Sequence, residues 1–168
     1  MKQFVIYIVL CLMSVGASAQ DFSYLSDLDV KDESQAEETK EAALECCCYL
    51  TGVRYDKKDE SRSIATKFVQ LWLNEHTNTQ TNVDVLLGND ECLMDMYSIY
   101  FAMHFIDDEN SQSVRSLQAS ALEGVVSYCS NSSNKLKFTK ALKEIKALSQ
   151  KGELEQVISN MDLVSSVQ

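Results

Sequence analysis

The chain has 168 residues, 25 acidic and 15 basic, with a net charge of −10, six cysteines and no proline. That length fits one domain with a single core burying roughly two thirds of the unfolded surface, and calls for no second domain. The negative charge excludes nucleic acid, and equally an anionic membrane surface, as a partner held by bulk electrostatics.

Residues 1–19 read as a secretory signal. Lys2 gives the positive start, Phe4 to Met13 the apolar core, and Ala17-Ser18-Ala19 the small-residue cleavage pattern, with Gln20 as the expected mature end. The ten-residue apolar core falls short of the roughly twenty residues a bilayer span takes, so a periplasmic or secreted protein with no membrane span after cleavage is expected. Cys11 follows Val9 and Leu10 rather than a small residue, so it is not read as a lipid-attachment site. Cleavage leaves 14 basic against 25 acidic residues, a net charge of −11, and five cysteines.

Those five, Cys46, Cys47, Cys48, Cys92 and Cys129, enter an oxidising compartment and are the disulfide candidates. At least one bridge from the 46–48 group to Cys92 or Cys129 is expected, since all lie on core-facing stripes. The odd number leaves at least one thiol free or bound to a partner, and the connectivity stays open.

Residues 20–33 are acidic and weakly apolar, which predicts a partly disordered segment. Ser34, with Glu37 in capping-box spacing, then opens a helix to about Leu50, and Thr51-Gly52 ends it. Tyr55 to Ser61 is a polar linker in which Asp59 or Ser61 can cap a second helix, Ser63 to His76, with Trp72 as its largest buried group. Thr77 to Asn82 carries no helix signal. Val83 to Leu87 reads as an extended piece over the core, and Gly88-Asn89-Asp90 turns the chain into the next helix with Asn89 or Asp90 as cap.

Glu91 to Ile106 is apolar or aromatic on nearly every side, as befits a helix surrounded by others. At sixteen residues it is about 24 Å long, too short and too interrupted to span a bilayer. Asp107 to Asn110 breaks the pattern, and Ser111 or Ser113 opens a helix to Cys129. Ser130 to Asn134 reads as a loop. Lys135 to Lys151 is amphipathic and lysine-rich, Gly152 is a stop signal, and Glu153 to Met161 is a last short helix before a tail at 162–168. The expected architecture is all-α: one compact bundle of five or six helices over 34–161, built around 91–106. Its core would hold Trp72, Phe101, Phe105, Leu117, Leu122, Phe138, Leu142 and Ile145.

A Trp-containing helix with Ala65 to Leu73 is followed by a Thr/Asn-rich connector and a central helix with Met94, Met96, Tyr97 and Ala102. A helix ending Val126-Ser127-Tyr128-Cys129 comes next, then Leu142-Lys143-Glu144-Ile145 and Lys151-Gly152-Glu153-Leu154-Glu155. This order resembles an uncharacterised family of small secreted helical proteins of Bacteroidetes, over roughly 65–158. The resemblance implies a helical, exported protein and carries no activity, so no residue takes a role from it.

Chemistry-bearing groups are sparse. Three adjacent cysteines on a helix point about 100° apart and cannot converge on one metal without unwinding it. Neither C-x-x-C nor C-x-x-C-H occurs. Met94, Met96, Met103 and His104 with Cys92 could be soft ligands, but the methionines fall on different faces and suit core filling. His104 reads as a core or rim histidine and His76 as a helix-end group. Asp95 and Ser98 share a side with Glu91 and, if buried, need donors from Tyr or Lys side chains. The lysines of 135–151, set against twelve acids and five bases in 21–60, read as a solvated face. Asn131-Ser132-Ser133 matches a glycosylation pattern only by chance in a bacterial product.

No Gly-rich loop, G-x-S-x-G, H-E-x-x-H or P-loop is present, so no catalytic residue, metal ligand or cofactor is assigned. The expected function is that of an exported non-enzymatic protein that binds another macromolecule, with a protein partner possible. The alternative is a soft-metal (copper or zinc) or thiol redox protein using Cys46–Cys48, Cys92, Met96 and His104.

Overall fold

The computed structural model describes residues 20–77, 83–107 and 112–165, with side chains to Met161. The expected signal peptide, most of the Thr/Asn/Gln connector, the acidic break after Asp107 including Ser111, and residues 166–168 lie outside the described residues. The chain is all-α, with seven helices and no strand among the described residues: α1 Ala36–Gly52, α2 Glu60–His76, α3 Val83–Leu87, α4 Glu91–Asp107, α5 Val114–Ser130, α6 Lys140–Lys151 and α7 Leu154–Ser165. No helix among them is long and apolar enough to cross a membrane.

Side-chain caps set most helix starts. Asp59 accepts from the Arg62 backbone N–H at 3.2 Å, and Asp90 from Leu93 at 3.2 Å. Ser113 accepts from Ser116 at 3.2 Å and Thr139 from Leu142 at 3.3 Å, each satisfying one otherwise orphaned donor of a first turn. Gly152 takes φ 71°, and the N–H groups of Gly152 and Glu153 close back on Ser149 and Leu148, a left-handed stop that glycine adopts without penalty.

The hub expected at 91–106 is α4. Only its first and last residues, Glu91 and Asp107, are exposed, while Met96, Ile99 and Ala102 are sealed in the core. It packs against α1, α2, α3 and α5. The last two helices pack chiefly on α5, so α5 organises the C-terminal half. Trp72, Phe101, Leu117, Leu122, Leu142 and Ile145 are buried as expected, whereas Phe105 and Phe138 are only half-buried at its rim.

The structure corrects the sequence reading in several places. Residues 20–33 are not a loose leader: a 3-10 turn at Ser23–Asp27 buries Phe22 and Leu25, with the Phe22 ring edge-on to Tyr49 at 5.0 Å and the Tyr24 hydroxyl donating to Glu45 at 2.6 Å. Two well-placed apolar anchors fix a segment whose mean composition is polar. Asp32, not Ser34, caps the next turn, and α1 begins at Ala36 without a side-chain cap. Val83–Leu87 is a helical turn that buries Val83 and Leu87, not an extended piece. Lys135 adopts φ 54° after the turn Ser132–Asn134, which delays α6 to Lys140. The last helix continues past Met161 to Ser165.

α4 and α5 are in tight contact at Gly124, where an added Cβ would overlap the Tyr100 ring. Helix propensity and packing therefore pull Gly124→Ala in opposite directions: alanine favours a helix interior by about 1 kcal/mol, while forcing an atom into a filled contact costs about 1–3 kcal/mol. Because the ring is held in the interface, packing should win. Urea unfolding of the variant is expected to show a net loss of stability, and an unchanged or raised midpoint would contradict this packing.

Candidate polar pocket around a buried arginine

The end of α1 and the start of α2 are held together by short-range chemistry. Asp59 caps α2 through one carboxylate oxygen and accepts the Tyr49 hydroxyl with the other at 2.8 Å. This fixes the first turn of α2 so that Arg62 turns inward, where it is 5% exposed. Its guanidinium donates from Nη1 to the Leu50 carbonyl at 3.2 Å, one of the last carbonyls of α1 left without a helical partner, and from Nη2 to Met96 Sδ at 3.0 Å. The Tyr55 ring lies 4.7 Å from Arg62 Cζ and the Tyr128 ring 5.9 Å, both within cation–π range. Tyr128 also donates to the Val53 carbonyl at 2.7 Å, fastening α5 to the same corner. No carboxylate among the described residues forms an ion pair with Arg62.

Arg62 lines a pocket of about 390 Å³ between the α1–α2 connection, the outer turns of α2 and the start of α4. Lys57 and Lys67 are its other cations; Asp56, Asp59, Glu91 and Asp95 are its carboxylates, and Tyr55 and Cys92 also contribute to the wall. Asp95 is half-buried and accepts from Gln70 Nε2 at 2.8 Å, so its donor is an amide rather than the expected Tyr or Lys. Burial raises its pKa against the lowering Gln70 hydrogen bond, Glu91 one turn earlier on α4 adds to the rise, and the Arg62 charge opposes it least. Ser98 turns back to the Met94 carbonyl at 3.1 Å and takes no part.

No disulfide joins any of the five cysteines among the described residues. Cys46 and Cys47 are wholly buried on adjacent faces of α1, where they act as small apolar side chains. Burial pushes the Cys46 thiol up to about 12 and the Cys129 thiol to about 11, and raises Cys47 well above the ordinary thiol value. Burial likewise raises Cys92, against a lowering Tyr55 hydrogen bond. A thiol held protonated is a poor nucleophile and a poor metal ligand.

The proposed soft-metal set is not gathered. Met96 is engaged by Arg62, His104 is half-buried with its pKa lowered by desolvation, and no group of three or more His, Cys, Asp or Glu among the described residues could hold a metal ion. His76 stacks on Trp72 at 4.3 Å, and its Nδ1 lies 2.8 Å from the Trp72 carbonyl near the end of α2, in keeping with a helix-end role. The lysines of α6 stay on its solvated side, with Lys140 paired locally to Glu144 at 3.5 Å.

Sequence reasoning passed over Arg62 entirely. The signal was present: it stands three residues before Ala65, seven before Val69 and ten before Trp72, on the stripe that α2 buries. No family model matches the chain, and neither a curated protein nor a solved structure matches it.

The raised Asp95 carboxyl has a measurable consequence. A carboxyl that binds its proton more tightly in the folded chain than in the unfolded one lowers stability as pH rises from its ordinary value, 3.8, through the raised one. Asp95→Asn removes that penalty while leaving an oxygen to accept from Gln70. By thermal melts, the variant is expected to be at least as stable as the parent at pH 7, with any advantage shrinking as pH falls below 3.8. A markedly lower melting temperature at pH 7 would show that the anion itself is favoured there.

Proposed function

We propose that the protein is exported to the periplasm or beyond and acts without catalysis, by binding another macromolecule at the pocket around Arg62. Export rests on the sequence of residues 1–19 and on the resemblance to small secreted helical proteins. The observation that carries the binding reading is a buried guanidinium, without a carboxylate partner among the described residues, in the wall of a pocket open to both signs of charge. Such a group discriminates by charge and geometry, since any anion brought to it from outside is held where water screens it little.

The remaining lining supports recognition rather than bond-making. Cys92, the one thiol there, has its pKa raised, and neither histidine lines the pocket. A general base poised near neutrality and a lowered-pKa nucleophile are the signatures of covalent catalysis. The pocket's side chains instead offer fixed hydrogen-bond donors, carboxylates and an aromatic face.

A photo-crosslinking residue placed at Lys57 or Ser63, both exposed at the pocket, tests this in cells that export the protein. Discrete adducts with another macromolecule are expected from these two positions and not from Lys143, which is exposed on α6. No adduct at either pocket position, or equal adducts from Lys143, would overturn the reading.

A further inference from the structure

We infer that the pocket takes a zwitterion, seating a carboxylate against Arg62 and Lys67 and a protonated amine against Glu91 and Asp95. This rests on the reading of the pocket as a binding site, and it does not depend on whether the ligand belongs to a macromolecule.

The anionic half of the ligand follows from Arg62. A guanidinium has five N–H donors, and the protein engages this one only through neutral groups, the Leu50 carbonyl, the Met96 thioether and the Tyr128 hydroxyl. A thioether is a weak acceptor, and the faces of the Tyr55 and Tyr128 rings attract the charge without neutralising it. A cation 95% removed from solvent is costly unless paired. A carboxylate supplied from the pocket would complete it in the geometry guanidinium prefers. Lys67, exposed on the same wall, adds a second cation one and a half turns along α2.

The cationic half follows from α4. Glu91 and Asp95 stand four residues apart on one helix face, where like charges repel. Asp95 is half-buried, with an amide from Gln70 as its hydrogen-bond donor. An ammonium group set between them would relieve the repulsion and favour the ionised Asp95.

The two halves constrain each other. A bare anion approaching Arg62 meets Glu91 and Asp95 on the facing wall, and a bare cation approaching those carboxylates meets Arg62, Lys57 and Lys67. A molecule carrying both charges a few bonds apart satisfies both walls. The volume of about 390 Å³ admits an amino acid or the end of a peptide and lies near the lower limit for small-molecule sites.

The shared chemistry has two sources, a free amino acid or a peptide with a basic C-terminal residue, and calorimetric titration of the mature protein separates them. L-leucine represents the first and Nα-acetyl-L-lysine the second, with N-acetyl-L-leucine and L-leucine amide as single-charge controls. At least one zwitterion is expected to bind about tenfold or more tightly than both controls, a difference of about 1.4 kcal/mol. Whichever of the two binds tighter names the source. Asp95→Asn and Lys67→Ala, which leave the core untouched, should each weaken that binding severalfold.

Equal affinity for zwitterions and single-charge controls, binding unchanged in both variants, or no heat with either zwitterion at millimolar concentration would each overturn the inference. If pocket crosslinks form but zwitterions do not bind, this inference fails and the macromolecular reading stands. Zwitterion binding without crosslinks gives the reverse.

Discussion

The constraint on which the N-terminal half of the molecule depends is the burial of one guanidinium. Arg62 touches the last turn of α1 through Leu50, the hub helix α4 through Met96 and the end of α5 through Tyr128, and it is itself carried by α2. Four helices therefore share one charge. Each contact alone is modest: cation–π contacts contribute about 0.5–2 kcal/mol, and a hydrogen bond from a charged group about 1.5–3 kcal/mol. Together they offset part of a desolvation cost that none could meet alone, and the Asp59 cap, the Tyr49 hydroxyl and the Tyr128–Val53 bond all converge on the same corner.

Around that corner the fold is ordinary helix packing. α4 is apolar on almost every side because it is surrounded by helices, and it separates the polar pocket at its start from the aromatic run of Tyr97, Phe101 and Phe105 toward its end. The same helix thus contributes two carboxylates to a wet site and seals the core two turns later. A site at the start of a rigid, buried helix is held in place by packing it does not itself supply.

Much of this was legible in the sequence. Periodicity located the hub and its neighbours, and Asp59, Asp90, Ser113 and Gly152 act at helix ends as their chemistry suggests. What escaped was of two kinds. Composition averaged over residues 20–33 hid Phe22 and Leu25, because two anchors suffice to dock a polar segment. Pattern reading that sorts charged residues to the surface hid Arg62, although its spacing matched the buried stripe of α2. The cysteines differ again: compartment chemistry makes thiols candidates for pairing, while the packing of α1 uses Cys46 and Cys47 as core side chains, with no disulfide among the described residues.

The pocket depends on a contrast that sequence cannot express, a buried cation that the protein engages only through neutral groups, beside carboxylates that form no ion pair with it. The most direct measurement is nitrogen-resolved NMR of the Arg62 side chain in the protein at neutral pH. Slow solvent exchange of its N–H protons is expected, with upfield displacement from the Tyr55 and Tyr128 rings. A rapidly exchanging Arg62 signal at the position of solvent-exposed arginines would contradict the buried guanidinium, and with it the charged wall of the pocket.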